Sequence, residues 1–423
     1  MKKLLFTLLI CAMAIMAFAQ DESNFTFNGR FDLDFMRSTH DYLNTNAVYP
    51  NSHSIMGNLQ LDGKLKATKN LEFDATITVG NYWSYVDWGS FGGFDHSKRY
   101  QIEAIPFYLY GKYSDEKVGE VKLGRFGLEN NQYVWSRWSQ DDYFESPLEQ
   151  NHTYNVNGID YRNTIDKLDY ELWYVMPQYG VFNDDILNLY NFNLGKIKDY
   201  YGAQVGYDFG LLKANALVGR ANDDDVYETH TSIYGGGITV PVYDKTSAYA
   251  NYYAHTNAGT VGDTGKLWNI GISTGYGKLG GFIEYIDVNE YYDAPGDWYF
   301  FGDTDIQGFR TMGNYRFDDK WNVFFHEHYG TQPVAHQIRN HHKIGVDYTF
   351  DPNNILTVWY RLRNIRKNGI HTNAHIFNVR YKHIFNDRIH GHIGYERMHD
   401  SIDVDGIDSE TGDMVYGQIT YTF

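Results

Sequence analysis

Apolar and polar residues alternate one by one over segments of about ten residues, and no other feature of this chain constrains its fold as tightly. The last segment carries the pattern clearly: Val415, Gly417, Ile419, Tyr421 and Phe423 alternate with Tyr416, Gln418, Thr420 and Thr422. Successive strand side chains point to opposite faces, so the segment has one apolar face and one polar face. About ten residues is also the length of a tilted strand that crosses a bilayer. The pattern opens at Phe25, where Phe25, Phe27, Gly29, Phe31, Leu33 and Phe35 alternate with Thr26, Asn28, Arg30, Asp32 and Asp34. It recurs in Ile55, Gly57, Leu59, Leu61, Gly63 and Leu65, and after the turn Thr68-Lys69-Asn70 in Leu71, Phe73, Ala75, Ile77 and Val79.

Turn residues punctuate the chain near Asp115, Asp166, Gly210, Asp244, Lys278, Asp318, Asn353 and Asn386, with long polar connections such as 37–52 and 80–99 between them. Short turns on one side and long loops on the other predict an all-β, transmembrane antiparallel barrel. Counting segments gives about 20 strands; weak stretches such as 279–288 leave a range of 16–20, with 18 as the central expectation. Residues 1–19 read as a secretory signal, with Lys2 and Lys3, an apolar run over 4–15 and the small-residue site Ala17-Phe18-Ala19. Residues 20–423 then form one barrel, and Cys11, the only cysteine, leaves with the signal.

Composition agrees. Beyond the signal no apolar run is long enough for a membrane helix, yet only every second residue of a barrel strand needs to face lipid. The 38 Tyr, 26 Phe and 9 Trp suit the two membrane interfaces, and 8 Pro are few enough to leave strand ladders intact. A net charge of −17 argues against nucleic acid as a partner. No Ser/His or Asp/His spacing rises above chance, and the adjacent Asp141 and Asp142 are poorly placed to converge on one bond, so the sequence points away from an enzyme and implies no cofactor. His326 and His328 share a strand face, as do His390 and His392; each is a weak candidate pair for a metal with no defined third ligand.

Phe423, preceded at two-residue steps by Tyr421 and Ile419, resembles the closing strand of bacterial outer-membrane β-barrels. That resemblance implies an outer-membrane location among lipid and lipopolysaccharide, and an assembly machinery that reads the Phe423 end. The run Lys122-Leu123-Gly124-Arg125 and the aromatic, acidic stretch 126–155 that follows resemble, in position and composition, the strand and in-folded constriction loop of general porins. Carried over, the resemblance puts Glu129, Tyr133, Trp135, Trp138, Asp141, Asp142 and Glu145 in the constriction. Arg30, Lys64, Lys112, Lys122, Arg125, Arg162, Arg361 and Arg363 then form a basic wall opposite. It implies passive diffusion of small hydrophilic solutes and ions, and a homotrimer. Two alternatives stay open. Tyr133, Trp135, Trp138 and Trp359 could form an aromatic track resembling that of sugar-specific porins, or a plugged barrel could serve as a surface receptor or structural element.

Overall fold

The computed structural model describes residues 24–38, 53–80, 103–128, 130–135, 155–176, 197–223, 230–258, 264–292, 305–334, 336–367, 370–402 and 410–423. The expected signal at 1–19 lies outside them. The described chain forms β1 (Phe25–Ser38), β2 (His53–Lys66), β3 (Leu71–Gly80), β4 (Glu103–Asp115), β5 (Gly119–Gly127), β6 (Asn155–Ile165) and β7 (Leu168–Met176). It continues through β8 (Ile197–Asp208), β9 (Lys213–Asp223), β10 (His230–Tyr243), β11 (Thr246–Ala258), β12 (Thr264–Thr274), β13 (Leu279–Val288) and β14 (Ile306–Arg316). Last come β15 (Trp321–Gln332), β16 (Gln337–Asp351), β17 (Asn354–Lys367), β18 (Ile370–Asn386), β19 (Ile389–Ile402) and β20 (Glu410–Thr422). Among the described residues no helix is long and apolar enough to cross a membrane.

Each strand pairs antiparallel with the next, and β1 pairs with β20, so 20 strands close into one barrel rather than the 18 expected. The undercount has a physical cause in β13. Its inward Ile286 and Val288 are buried and apolar, so alternation with the outward Ile283 and Tyr285 fades. All nine turn positions read from the sequence are strand-to-strand turns. On the opposite side two connections, 333–336 and 368–369, are as short as turns, so long loops do not ring that whole rim.

The outer face explains why the barrel suits a bilayer. On the turn side, outward rings meet in pairs: Tyr207 with Phe209 at 4.6 Å, Tyr315 with Phe317 at 4.8 Å, Trp321 with Tyr348 at 4.4 Å, and Tyr421 with Phe423 at 5.5 Å. A second girdle holds Tyr174 and Tyr201 at 6.2 Å, Trp268 and Tyr285 at 5.3 Å, and Tyr285 and Phe309 at 5.1 Å. Between them lie exposed aliphatic residues, among them Val205, Val218, Ile270, Ile283, Ile344, Ile393 and Ile419. Along β8 the girdle rings Tyr201 and Tyr207 are about 20 Å apart at a rise of about 3.3 Å per residue. That approaches the height of a lipid-facing belt, with amphipathic rings at both margins. At the second girdle the outer face turns polar, where Arg220 donates to Asn222 at 3.0 Å and Glu327 meets His342.

The turns are built from short polar side chains. Between β14 and β15, Asp318 accepts the backbone N–H of Lys320 and of Trp321, each at 2.8 Å, and these bonds hold its carboxyl below the usual carboxylate range. A depressed carboxylate stabilises the fold above its unfolded pKa of about 4, and that contribution is lost as pH falls through the folded value. Protection of the Trp321 amide from hydrogen exchange, corrected for intrinsic rates, is therefore expected to fall as pH drops below about 4; constant protection would show that the carboxylate does not hold the turn.

Candidate functional site

Polar phases of the strands point inward, and one segment of the following loop reaches them from several sides. Phe126 ends β5 facing inward and packs its ring on Tyr110 at 6.2 Å. Beyond Leu128 the chain makes a tight turn: Trp135 N–H donates to the Asn131 carbonyl at 2.8 Å, and Tyr133 N–H donates to Asn131 Oδ1 at 2.9 Å. The turn directs its two large rings to different parts of the wall. Trp135 stacks on Tyr200 of β8 at 4.9 Å with planes 7° apart, and Trp173 of β7 packs on the same tyrosine at 5.4 Å. Tyr133 lies on Tyr253 of β11 at 5.7 Å, and its hydroxyl reaches Glu284 Oε2 of β13 at 3.4 Å while accepting from Asn269 of β12. Asn131 Nδ2 donates to the Tyr253 hydroxyl at 2.7 Å, and the Tyr292 hydroxyl donates to the Tyr133 carbonyl at 2.7 Å.

Glu284 is the centre of this anchorage. It accepts Tyr249 at 2.8 Å and Asn269 at 2.9 Å, and pairs with Arg310 of β14 at 2.6 Å, where both side chains are buried. A buried charge is tolerable only when paired and hydrogen-bonded, and Glu284 has both. Glu284, Arg310, Asn269, Tyr200, Trp173, Tyr253 and Tyr292 were not singled out from the sequence. One signal was available: on its own face Glu284 sits between the apolar Phe282 and Ile286, where a carboxylate requires a partner.

Of the constriction residues expected from sequence, Tyr133 and Trp135 are in this anchorage, both almost fully buried. Glu129, Trp138, Asp141, Asp142 and Glu145 lie outside the described residues, as does the side chain of Arg363. The basic wall is a mixed-charge wall. Arg30 pairs with Asp32 at 2.7 Å, Lys64 with Glu72 at 3.0 Å and Asp74 at 3.5 Å, Lys112 with Glu72 at 3.2 Å, and Lys122 with Glu120 at 3.4 Å. Arg162 is held between Asp160 at 3.0 Å and Glu171 at 2.8 Å. Arg361 lies over the Trp359 ring at 5.1 Å and Lys343 over the same ring at 4.9 Å. Arg125 sits opposite Leu109 and Asn157 in register, and Leu109 is on the outer face. Three positions from the inward Lys122, Arg125 falls in the outward phase and does not belong to the interior wall.

The four candidate histidines face inward. His328 lies 5.6 Å from His341, and His392 lies 6.0 Å from Tyr416. Among the described residues no group of three potential metal ligands converges.

Cavities adjoin the inward faces of the described strands. A cavity of about 910 Å³ lies on the turn side of the Trp135–Tyr200–Trp173 cluster, bordered by Arg162, Glu171, Gln204 and Asn215 of β6 to β9. A smaller one, about 280 Å³, is bordered by Asp62, Lys64, Asp74 and Tyr110 of β2 to β4. Inward side chains further round, such as Arg310, His328, Lys343, Arg361 and Glu396, are buried instead.

No family model and no curated protein matches the sequence. Solved structures do. OpdO of Pseudomonas aeruginosa is 12% identical, with a TM-score of 0.53 over 95% of this chain and 97% of that one. The fold is that of a bacterial outer-membrane β-barrel porin. OccK5 (OpdH) of Pseudomonas aeruginosa is similar too, at 11% identity and a TM-score of 0.52 over 95% of this chain and 98% of that one. At these identities the porin likeness is one of architecture, and the interior side chains must be read from this chain alone.

Proposed function

We propose that the chain is an outer-membrane porin through which small hydrophilic solutes and ions diffuse passively, with the loop 126–155 narrowing the path. The observation that carries this reading is the double anchorage of the loop: Trp135 on Tyr200 and Tyr133 at Glu284 tie one short turn to inward faces on separate parts of the wall. A turn tied to β8, β11, β12 and β13 supports a path narrowed by this loop. The sugar-track alternative loses support, because Trp135 has no exposed surface and Trp359 carries two cations on its ring. The plugged-barrel alternative keeps one supporting observation, the burial of the inward faces of β14 to β17.

The deciding experiment is single-channel recording of the refolded mature protein in a planar bilayer. Discrete conductance steps are expected. Silence from protein verified as folded would overturn the channel reading in favour of a plugged barrel, and block by maltodextrins would restore the sugar-selective one.

A further inference from the structure

We propose that this barrel selects cations over anions, and that the selection is made in the turn-side cavity bordered by β4 to β10. The inference rests on the channel reading and adds the class of permeant to it. The cavity of about 910 Å³ is lined by seven carboxylates against Arg162, Lys167 and Lys213, a formal surplus of four negative charges.

Geometry makes the surplus effective. Arg162, the least exposed of the three cavity cations, has one carboxylate on each side, Asp160 and Glu171, so its charge is largely offset locally. Lys213 lies 3.6 Å from Asp208. Glu120 lies 3.4 Å from Lys122, and Asp115, Glu116, Asp166 and Asp169 remain on the cavity lining with Lys167 as the one lining cation left to offset them. The neutral lining groups Asn163, Thr164, Gln204 and Asn215 are amides and a hydroxyl that can replace part of an ion's hydration without regard to its sign. The smaller cavity has the same bias, with Asp62 and Asp74 against Lys64.

Three cations elsewhere on the wall are set back from the open space. Arg310 pairs with Glu284, while Lys343 and Arg361 lie over aromatic rings, and all three are buried. Low-dielectric walls around an aqueous space focus the field of the carboxylates and raise the local concentration of counter-ions. Screening by salt must weaken the effect, because the Debye length shortens from about 10 Å at 0.1 M to about 3 Å at 1 M.

The test is the reversal potential of the refolded mature protein under a potassium chloride gradient, which requires no substitution. A potassium-to-chloride permeability ratio above about 3 is expected at low salt, falling towards 1 in concentrated salt. The triple variant Glu116→Gln, Asp166→Asn and Asp169→Asn, nearly isosteric at each position, is expected to lower the low-salt ratio about twofold with conductance steps retained. A conducting wild-type channel with a ratio at or below 1 overturns the proposal and leaves the porin reading intact. An unchanged ratio in a conducting triple variant overturns the assignment to this cavity. Absence of any conductance overturns both readings together.

Discussion

Trp135→Ala is expected to widen the channel and make its current noisy, raising mean single-channel conductance about twofold. The indole is fully buried, stacked on Tyr200 with Trp173 behind it. Truncating a buried tryptophan to alanine costs about 3–5 kcal/mol, including about 1 kcal/mol for the stacked pair. That loss falls on the docking of one loop turn and not on the strand ladder. At about 1.4 kcal/mol per factor of ten, the undocked population rises by at least a hundredfold. The polar contacts of Asn131 and Tyr133 remain, so the loop should move between docked and undocked states rather than detach. Trp135→Phe keeps an aromatic stack and should behave nearly as wild type. The measurement is conductance and open-channel noise in a planar bilayer, alongside the temperature at which the folded gel band is lost. Unchanged conductance and noise would mean that this turn does not bound the permeation path.

A larger structural effect is expected from Gly29→Val. Gly29 and Phe423 exchange two backbone hydrogen bonds, 2.9 Å and 3.0 Å, at the seam where β1 meets β20. The ring of Phe423 folds over the glycine, and a Cβ there would lie 2.1 Å from its nearest carbon. A valine must displace the ring or part the strands. Parting them exposes backbone donors and acceptors to hydrocarbon at several kcal/mol each, the cost that barrel closure normally avoids. Yield of the heat-modifiable folded form in refolding should drop by more than about tenfold. Gly29→Ala should be milder, and Phe423→Ala in the same chain should partly restore it if the clash is with the ring. Normal folding of Gly29→Val would remove the ring-over-glycine contact as a condition for closure. The sequence resemblance gave Phe423 a second role, as the end read by the assembly machinery. A refolding assay without that machinery isolates the packing effect.

Rings over glycine recur across neighbouring strands: a Cβ on Gly417 would meet Phe35 at 2.3 Å, one on Gly345 Phe324 at 2.2 Å, and one on Gly394 Tyr416 at 2.2 Å. The abundance of both residue types could be read in composition, but their pairing could not. Which ring covers which glycine depends on register, and alternation fixes a side chain's face without fixing its height.

The same distinction divides the rest of the molecule. Alternation in segments such as 25–35 and 414–423, with turn residues between them, determined by itself that the chain is a membrane-crossing antiparallel barrel. Those signals act over one strand and one turn, and they needed no partner to be read. Sequence also marked 126–155 as the stretch to watch, because so many aromatic residues in a loop require burial somewhere. Tertiary structure decided where: Tyr133 reaches Glu284, 151 positions away, and Trp135 finds Tyr200. It likewise turned the expected basic wall into ion pairs, as with Arg162 between Asp160 and Glu171, and placed Arg125 on the outer face. The contacts of Tyr133 and Trp135 join residues that meet only once the strands have curled into the barrel, whereas the ion pairs of Arg162 follow from the register of the β6–β7 hairpin, which alternation alone does not give.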